Sequence, residues 1–368
     1  MSLQRVGLTF LTALIGASTS VQVAVNGFVG KSVGVNSFAA ALNLNLGLVL
    51  LTLLHGAEVL LSTTATPPLR FLAWASRPSL LNLCPGLLGL CYVVSSAFLQ
   101  PVLGSGLFMV SIVAGQLTSA AALDHVTGAA RLRLPRAAAL AAALGGAVAT
   151  AWDRLAAANA EAAPVWLLLL GAALTFAAGG LMVVQAHLSR GAAALLPSRL
   201  AAAWWSFAVS AGLSWVVFGA QAAGAGADAR SRFSAPGTWA ALPGWAWTAA
   251  LCGVAYVCSS IVVPAVIGSG AYFVSLVCGQ LLFAAAIDAQ GLLGAAVHPL
   301  TAARGVGLGV VVIAAAATQV LLIQQQRQEK KALEAVEGGV RTPLVEMGSE
   351  ESAQISAGSY NRKVNLDS

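Results

Sequence analysis

Long apolar runs separated by short polar breaks dominate this chain. Each run is about 20 residues long, which is the length that an α-helix needs to cross the hydrocarbon of a bilayer. Backbone groups inside lipid must find hydrogen-bond partners within their own segment, so helices are the expected structure. The ten predicted spans are 6–26, 36–60, 80–99, 104–124, 134–152, 165–187, 200–219, 245–263, 268–288 and 303–324. The sequence therefore predicts an all-α, multi-pass membrane protein whose first partner is the lipid bilayer.

The composition excludes several other classes of protein. Only 9% of the 368 residues are charged and the mean hydropathy is +0.83. In a soluble domain, roughly a quarter of the residues are charged. The net charge of +6 lies in loops and in the C-terminal tail, where the positive-inside rule places it, so nucleic acid is not an expected partner. The five cysteines lie in apolar runs without metal-ligand spacing. With no nucleotide-binding loop and no nucleophile–base set, we expect no metal, no cofactor and no enzymatic activity.

One stretch of the sequence occurs twice. At an offset of 164 residues, Gly89–Asp124 and Gly253–Asp288 align without a gap and share 19 identities in 36 positions. The matches include polar residues that do not align by accident in an Ala/Leu-rich chain, such as Tyr92 with Tyr256 and Gln116 with Gln280. The similarity is fainter earlier in each half, where Gln22 pairs with Gln185. The chain is therefore interpreted as a duplication.

Five spans per copy would place the second copy upside down relative to the first, because the number of spans is odd. The distribution of basic residues agrees with this inversion. With the N-terminus in the cytosol, 14 of the 19 Lys and Arg residues fall on the cytosolic side. We therefore predict two inverted five-helix repeats with both termini cytosolic. The predicted domains are a first repeat at 1–152, a linker at 153–164, a second repeat at 165–324 and a polar, largely disordered cytosolic tail at 325–368.

Polar side chains inside the spans are the candidate functional residues, because a polar group in hydrocarbon is costly without a partner or water. Gln116 and Gln280 flank small-residue packing motifs, Ser111-x-x-x-Gly115 and Ser275-x-x-x-Gly279, and could be interhelical hydrogen bonds or substrate contacts. The predicted substrate-path residues are Gln22, Asn26, Asn43, Asn45, Tyr92, Ser111, Gln116, Gln185, Tyr256, Ser275 and Gln280.

Asp124 and Asp288 end the two matched stretches, at opposite membrane borders if the copies are inverted. A carboxylate at a helix C-terminus opposes the helix dipole and needs compensation. Cations close in sequence could supply it: His125, Arg131 and Arg133 for the first aspartate, and His298 or Arg304 for the second. The two aspartates are either solvated helix ends or a pair of gates, with proton coupling as a further alternative.

These residues resemble the bacterial YdcZ-type family of the drug/metabolite transporter superfamily. The resemblance rests on Gln22 with Asn26, on "PVLG" at Pro101–Gly104, on Gly115–Gln116, and on Asp124–His125 followed by Gly128. The second copy departs from the pattern: Pro264 is shifted by one place, "DAQG" replaces the Asp-His motif, and Ser189 stands opposite Asn26. The resemblance implies a ten-helix transporter fold that moves small metabolites, with the fifth and tenth spans outside the central cavity.

The function that fits these observations is transport of a small organic metabolite or drug-like solute by alternating access between the inverted repeats. The alternative is a membrane scaffold or sensor that moves nothing and acts through its tail. The duplication favours transport, because inverted repeats generate two interchangeable gated states. The sequence does not identify the substrate, the membrane or the oligomeric state, and a homodimer is left open.

Overall fold

The computed structural model describes residues 3–61, 80–127, 133–157 and 164–341. The described residues form helices and connecting turns, with no β-strand among them. The α-helices are α1 (Leu3–Val33), α2 (Asn36–Leu61), α3 (Leu80–Val126), α4 (Leu134–Ala157), α5 (Val165–Leu195), α6 (Arg199–Gly224), α7 (Ala227–Ser234), α8 (Pro236–Ala240), α9 (Ala249–Val262), α10 (Pro264–Ile267), α11 (Ser269–Gln290) and α12 (Ala302–Arg341). Short 3₁₀ turns cover Gly244–Trp247 and Leu292–Gly294.

The chain divides into two compact units, Met1–Leu321 and Leu322–Ser368. All contacts and cavities described below belong to the first unit. In the second unit the described residues, 322–341, are the C-terminal part of α12.

Eight of the described helical segments are long and apolar enough to cross a membrane, and Leu134–Thr150 is a shorter apolar helix. One of the eight, Pro85–Val126, contains most of the third predicted span and all of the fourth. Many large apolar side chains on these helices are exposed, as expected for surfaces that face lipid. Examples are Phe10, Leu53, Trp166, Leu282 and Ile313.

The hydroxyl groups on the helices are satisfied mainly within their own helix. Thr12 Oγ1 donates to the carbonyl of Leu8 at 2.7 Å, and Thr175 Oγ1 donates to the carbonyl of Gly171 at 2.7 Å. This local bond shields the hydroxyl and lets serine and threonine occur in apolar helices at low cost.

Two glycines at matched positions break the helices of the two copies. Gly104 inside α3 has φ 75° and ψ 161°, and Gly268 before α11 has φ 86° and ψ 147°. Residues that carry a side chain rarely adopt these positive φ angles, so both positions require glycine. The chain changes direction at Gly268: Ser259 Oγ lies 3.0 Å from the Tyr272 hydroxyl, although 13 residues of straight helix would separate the two residues by about 20 Å along the axis.

The helix pairs α1–α11 and α3–α5 pack at backbone distance, and the contacts match between the copies. A Cβ on Gly279 would overlap the carbonyl oxygen of Ala13, and a Cβ on Gly115 would overlap that of Phe176. Ala13 and Phe176 are 163 residues apart, and Gly115 and Gly279 are 164 apart. Small-residue packing of this kind lets helices approach closely in lipid. The first helix of each copy therefore packs against a helix of the other copy.

We expect Gly115→Ala and Gly279→Ala to lower the apparent melting temperature of the detergent-solubilised protein. The added methyl group must push two backbones apart, which costs about 1–3 kcal/mol of folding free energy. Gly145→Ala and Gly309→Ala are matched controls, because a Cβ at these helical positions meets no atom within 4 Å. Melting temperatures that fall equally in all four variants would contradict the packing described for α1–α11 and α3–α5.

Candidate functional site

A small cavity lies among α1, α2, α3, α5, α6 and α9. Its lining combines apolar side chains with a few polar groups, the usual character of a small-molecule site. The described residues that line it are Gln22, Leu44, Gly89, Tyr92, Val93, Gln185, Ser206, Phe207, Ser210, Gly253, Tyr256 and Val257. We call this space the central cavity.

Both copies contribute corresponding residues to the central cavity. Ten of its twelve lining residues form five pairs at an offset of 163 or 164. The pairs are Gln22 with Gln185, Leu44 with Phe207, Gly89 with Gly253, Tyr92 with Tyr256, and Val93 with Val257. The cavity therefore depends on both copies, and neither copy could form it alone.

The two glutamines of the central cavity lie in equivalent positions. Gln185 Nε2 would be 2.7 Å from a Cβ on Gly89, and Gln22 Nε2 would be 2.7 Å from a Cβ on Gly253. Each carboxamide thus occupies the space left by a missing side chain on the other copy. Glycine at 89 and 253 is what allows the amides to reach the cavity.

Two hydroxyls in the cavity lining have no partner among the described residues. The Tyr92 hydroxyl and Ser206 Oγ are both buried and make no hydrogen bond there. A buried polar group without a partner is costly, and a ligand or water in the cavity could satisfy both.

The predicted asparagines lie beside the central cavity and not in its lining. Asn26 Nδ2 donates to Ser96 Oγ at 2.8 Å, and Asn43 Nδ2 donates to Asn26 Oδ1 at 3.0 Å. Asn45 points towards α6, where its Oδ1 accepts a hydrogen bond from Trp215 Nε1 at 3.2 Å. The two neighbouring asparagines of α2 therefore face different surroundings, as their spacing predicts.

Gln116 and Gln280 are fully buried but are not among the described residues that line the central cavity. Gln116 Nε2 lies 3.6 Å from the sulfur of Met182, its Oε1 has no partner, and neither polar atom of the Gln280 carboxamide has one. Ser111 and Ser275 are buried on the same two helices. The structure thus places these residues close to the α3–α5 and α1–α11 packing contacts.

Asp288 connects three helices from both copies. Its carboxylate accepts hydrogen bonds from the backbone amides of Ser105 and Gly106 at 2.9 and 2.8 Å, and it pairs with Arg304 Nη2 at 2.8 Å. The two amides follow the break at Gly104, so they are helix N-terminal donors that favour an anion. We call this arrangement the Asp288 clamp.

Two further features lie next to the clamp. A Cβ on Gly106 would lie 2.6 Å from Arg304 Nη2, so the tight contact requires glycine there. A second, more polar cavity reaches Asp288, and its lining includes Lys31, Gln100 and His298. Arg304 was expected from the sequence as a partner of Asp288; the role of Gly106 was not.

Asp124 pairs with Arg136 Nη2 at 2.5 Å, within the first copy. Arg136 is buried whereas Asp124 is partly exposed. The sequence had suggested His125, Arg131 and Arg133, and Arg131 lies outside the described residues. Arg136 could have been identified from its place in the first turn of α4, because α4 begins near the end of α3.

The comparisons with known proteins identify the family. Residues 7–149 and 158–317 match the family model DMT_YdcZ, described as "Putative inner membrane exporter, YdcZ". The comparison with curated proteins gives no match. The matched segments cover both copies and most of the chain, which confirms the resemblance found in the sequence motifs. The chain therefore belongs to the YdcZ family of drug/metabolite transporter type, as a multi-pass membrane protein with two copies of the repeat.

Proposed function

We propose that this protein transports a small organic solute by alternating access between two inverted five-helix repeats. The observation that carries the proposal is the central cavity, lined by five matched pairs from the two copies. A binding site on a pseudo-two-fold axis has equivalent surroundings on both sides. Rocking of the two copies can therefore expose the site to each face of the membrane in turn.

Several features support ten spans and an inverted second copy. Pro85–Val126 is 42 residues long, about twice the length of one span, and Gly104 breaks it at the position that matches Gly268. Leu134–Thr150 supplies a shorter fifth apolar helix in the first copy. An odd number of spans in each copy inverts the second, and the distribution of Lys and Arg supports cytosolic termini.

The lining of the central cavity favours a solute that forms hydrogen bonds. Its polar groups are two carboxamides, two tyrosines and two serines, set among apolar side chains. We assign substrate contact to Gln22, Gln185, Tyr92 and Tyr256 in the state described here. The buried carboxamides of Gln116 and Gln280 would join the path in conformations that separate α3 from α5 or α1 from α11.

We assign the Asp288 clamp the role of a gate on the side of the polar cavity. It ties α3 of the first copy to α11 and α12 of the second, so the two copies cannot separate on that side while it is intact. Asp124 and Arg136 occupy the corresponding place on the other side. Membership of an exporter family supports transport over enzymatic catalysis.

We expect Gln22→Leu and Gln185→Leu to reduce transport at least about tenfold, because each removes hydrogen bonds to the solute and retains similar bulk. The measurement is uptake of a metabolite panel into proteoliposomes that contain the purified full chain. Gln4→Leu is the matched control, since Gln4 is exposed at the start of α1. Absence of transport by the unmodified chain across the panel, or equal activity of all variants, would contradict the proposal.

Breaking the Asp288 clamp should open the gate. Asp288→Asn leaves the buried Arg304 without a carboxylate, at a cost of about 3–5 kcal/mol. We expect a lower melting temperature and faster maleimide labelling of a cysteine introduced at Val257 in the central cavity. Asp228→Asn, at an exposed position in α7, serves as the control. Unchanged stability together with unchanged labelling would exclude the gate.

A further inference from the structure

A small pocket lies beside the central cavity, among α1, α2, the 3₁₀ turn Gly244–Trp247 and the start of α9, and Asn26 and Asn43 line it. Asn43 Oδ1 would lie 3.6 Å from a Cβ on Gly253, and Gln22 Nε2 would lie 2.7 Å from the same Cβ. Gly253 and Gln22 both line the central cavity. The oxygen of Asn43 is therefore near the donor atom of Gln22, where the small pocket adjoins the central cavity.

A chain of hydrogen bonds fixes the orientation of the Asn43 carboxamide. Ser96 Oγ lies 2.7 Å from the carbonyl oxygen of Val93, to which it must donate its only hydroxyl proton. Ser96 Oγ therefore accepts a hydrogen bond from Asn26 Nδ2 at 2.8 Å. Asn26 Oδ1 is then free to accept a hydrogen bond from Asn43 Nδ2 at 3.0 Å. The chain leaves the oxygen of the Asn43 carboxamide, and not its nitrogen, near Gly253.

This oxygen is a buried acceptor without a donor. The Asn43 side chain is buried, and its Oδ1 has no hydrogen-bond partner among the described residues. The hydroxyls of Tyr92 and Ser206 also lack partners there, but a hydroxyl can either donate or accept, whereas a carboxamide oxygen can only accept. Because an unpaired buried acceptor is costly, a group that occupies this space has to donate a hydrogen bond.

The second copy has no equivalent of this acceptor. The residues that match the two asparagines there are Ser189 and Ser206. Both serine hydroxyls are buried without a partner among the described residues, so they do not join into a chain. The acceptor is thus particular to the first copy, and a solute that satisfies it binds in one orientation, with its donor group towards α2.

We propose that Asn43 Oδ1 accepts a hydrogen bond from a hydroxyl group of the transported solute, and that Gln22 Nε2 donates a hydrogen bond to the same hydroxyl. The proposal rests on the transport function proposed above and adds the chemical class of the substrate, a neutral alcohol. A hydroxyl group both donates and accepts, which matches one acceptor and one donor side by side. Asn26 is a positioning residue, because it orients Asn43 through their hydrogen bond.

An ammonium group would also donate to Asn43, but its charge would need compensation inside the membrane. No carboxylate is among the described residues that line the central cavity or the small pocket. A neutral hydroxyl carries no such cost, so it fits these surroundings better.

The test compares solutes that differ by one hydroxyl group. The purified full chain, in nanodiscs of phosphatidylcholine, is titrated with 4-hydroxybenzamide and benzamide, with ribose and 2-deoxyribose, and with glucose and 2-deoxyglucose. The readout is the shift in melting temperature with solute concentration, which gives an apparent Kd. We expect at least one hydroxylated solute to bind about tenfold more tightly than its counterpart, the typical effect of one hydrogen bond.

Asn43→Leu should abolish this preference, whereas Asn43→Asp should keep it. A neutral aspartic acid donates its proton to Asn26 Oδ1 and leaves its carbonyl oxygen where the carboxamide oxygen was. Asn43→Leu should also lower the melting temperature, because Asn26 loses a partner, but lower stability by itself does not change the ratio of two affinities. Asn43→Ala removes the same oxygen without added bulk and tests the same loss if Asn43→Leu does not fold.

Gln4→Leu is the matched control, because it makes the same kind of change at an exposed position in α1 and should leave the preference intact. Equal binding within every pair, or no binding by any solute of the panel, would overturn the proposal. A preference that survives in Asn43→Leu or Asn43→Ala, or one that is lost in Asn43→Asp, would reject Asn43 as the acceptor.

Uptake into proteoliposomes separates this proposal from the transport function. Uptake that depends on Gln22 and Gln185 but is equal for a hydroxylated solute and its counterpart would leave the transport function standing and reject the hydroxyl subsite.

Discussion

The close approach of helix backbones at Gly115 and Gly279 is the contact on which the rest of the structure depends. Through it, α1 packs on α11 and α5 packs on α3, so the first helix of each copy is held by the other copy. In lipid there is no hydrophobic force between helices, and close packing has to supply the attraction. Because the helices cross between copies, the side chains of Gln22 and Gln185 are brought to one shared cavity.

Among the described residues, the aspartate–arginine ion pairs lie at the ends of the helices and not at the centre of the bundle. Asp288 and Asp124 each pair with an arginine, and Asp288 also binds the amides that the break at Gly104 leaves free. A buried pair of this kind is strong only while all its partners are in place. This all-or-none character suits the gate proposed for the Asp288 clamp.

Much of this arrangement could be predicted from the sequence because a duplication carries spatial information. Matching the copies indicated Tyr92, Tyr256, Gln22 and Gln185, and the structure places all four on the central cavity. Spacing along one helix does not reveal which neighbour a side chain meets, so it left open whether Gln116 and Gln280 line the path or the packing contacts. The role of Gly106 could not be predicted either, because its contact with Arg304 follows from helix packing, which local sequence does not encode.

The central claim is that two copies of opposite orientation enclose one cavity, and matched positions test it most directly. Val126 and Gln290 are 164 residues apart, and both are exposed at the ends of α3 and α11. In a variant without the native cysteines, Val126→Cys and Gln290→Cys would be labelled separately in sealed right-side-out vesicles with a membrane-impermeant maleimide. The account predicts that Gln290→Cys reacts from outside and that Val126→Cys reacts only after the membrane is permeabilised. Reaction of both cysteines from the same face would contradict it.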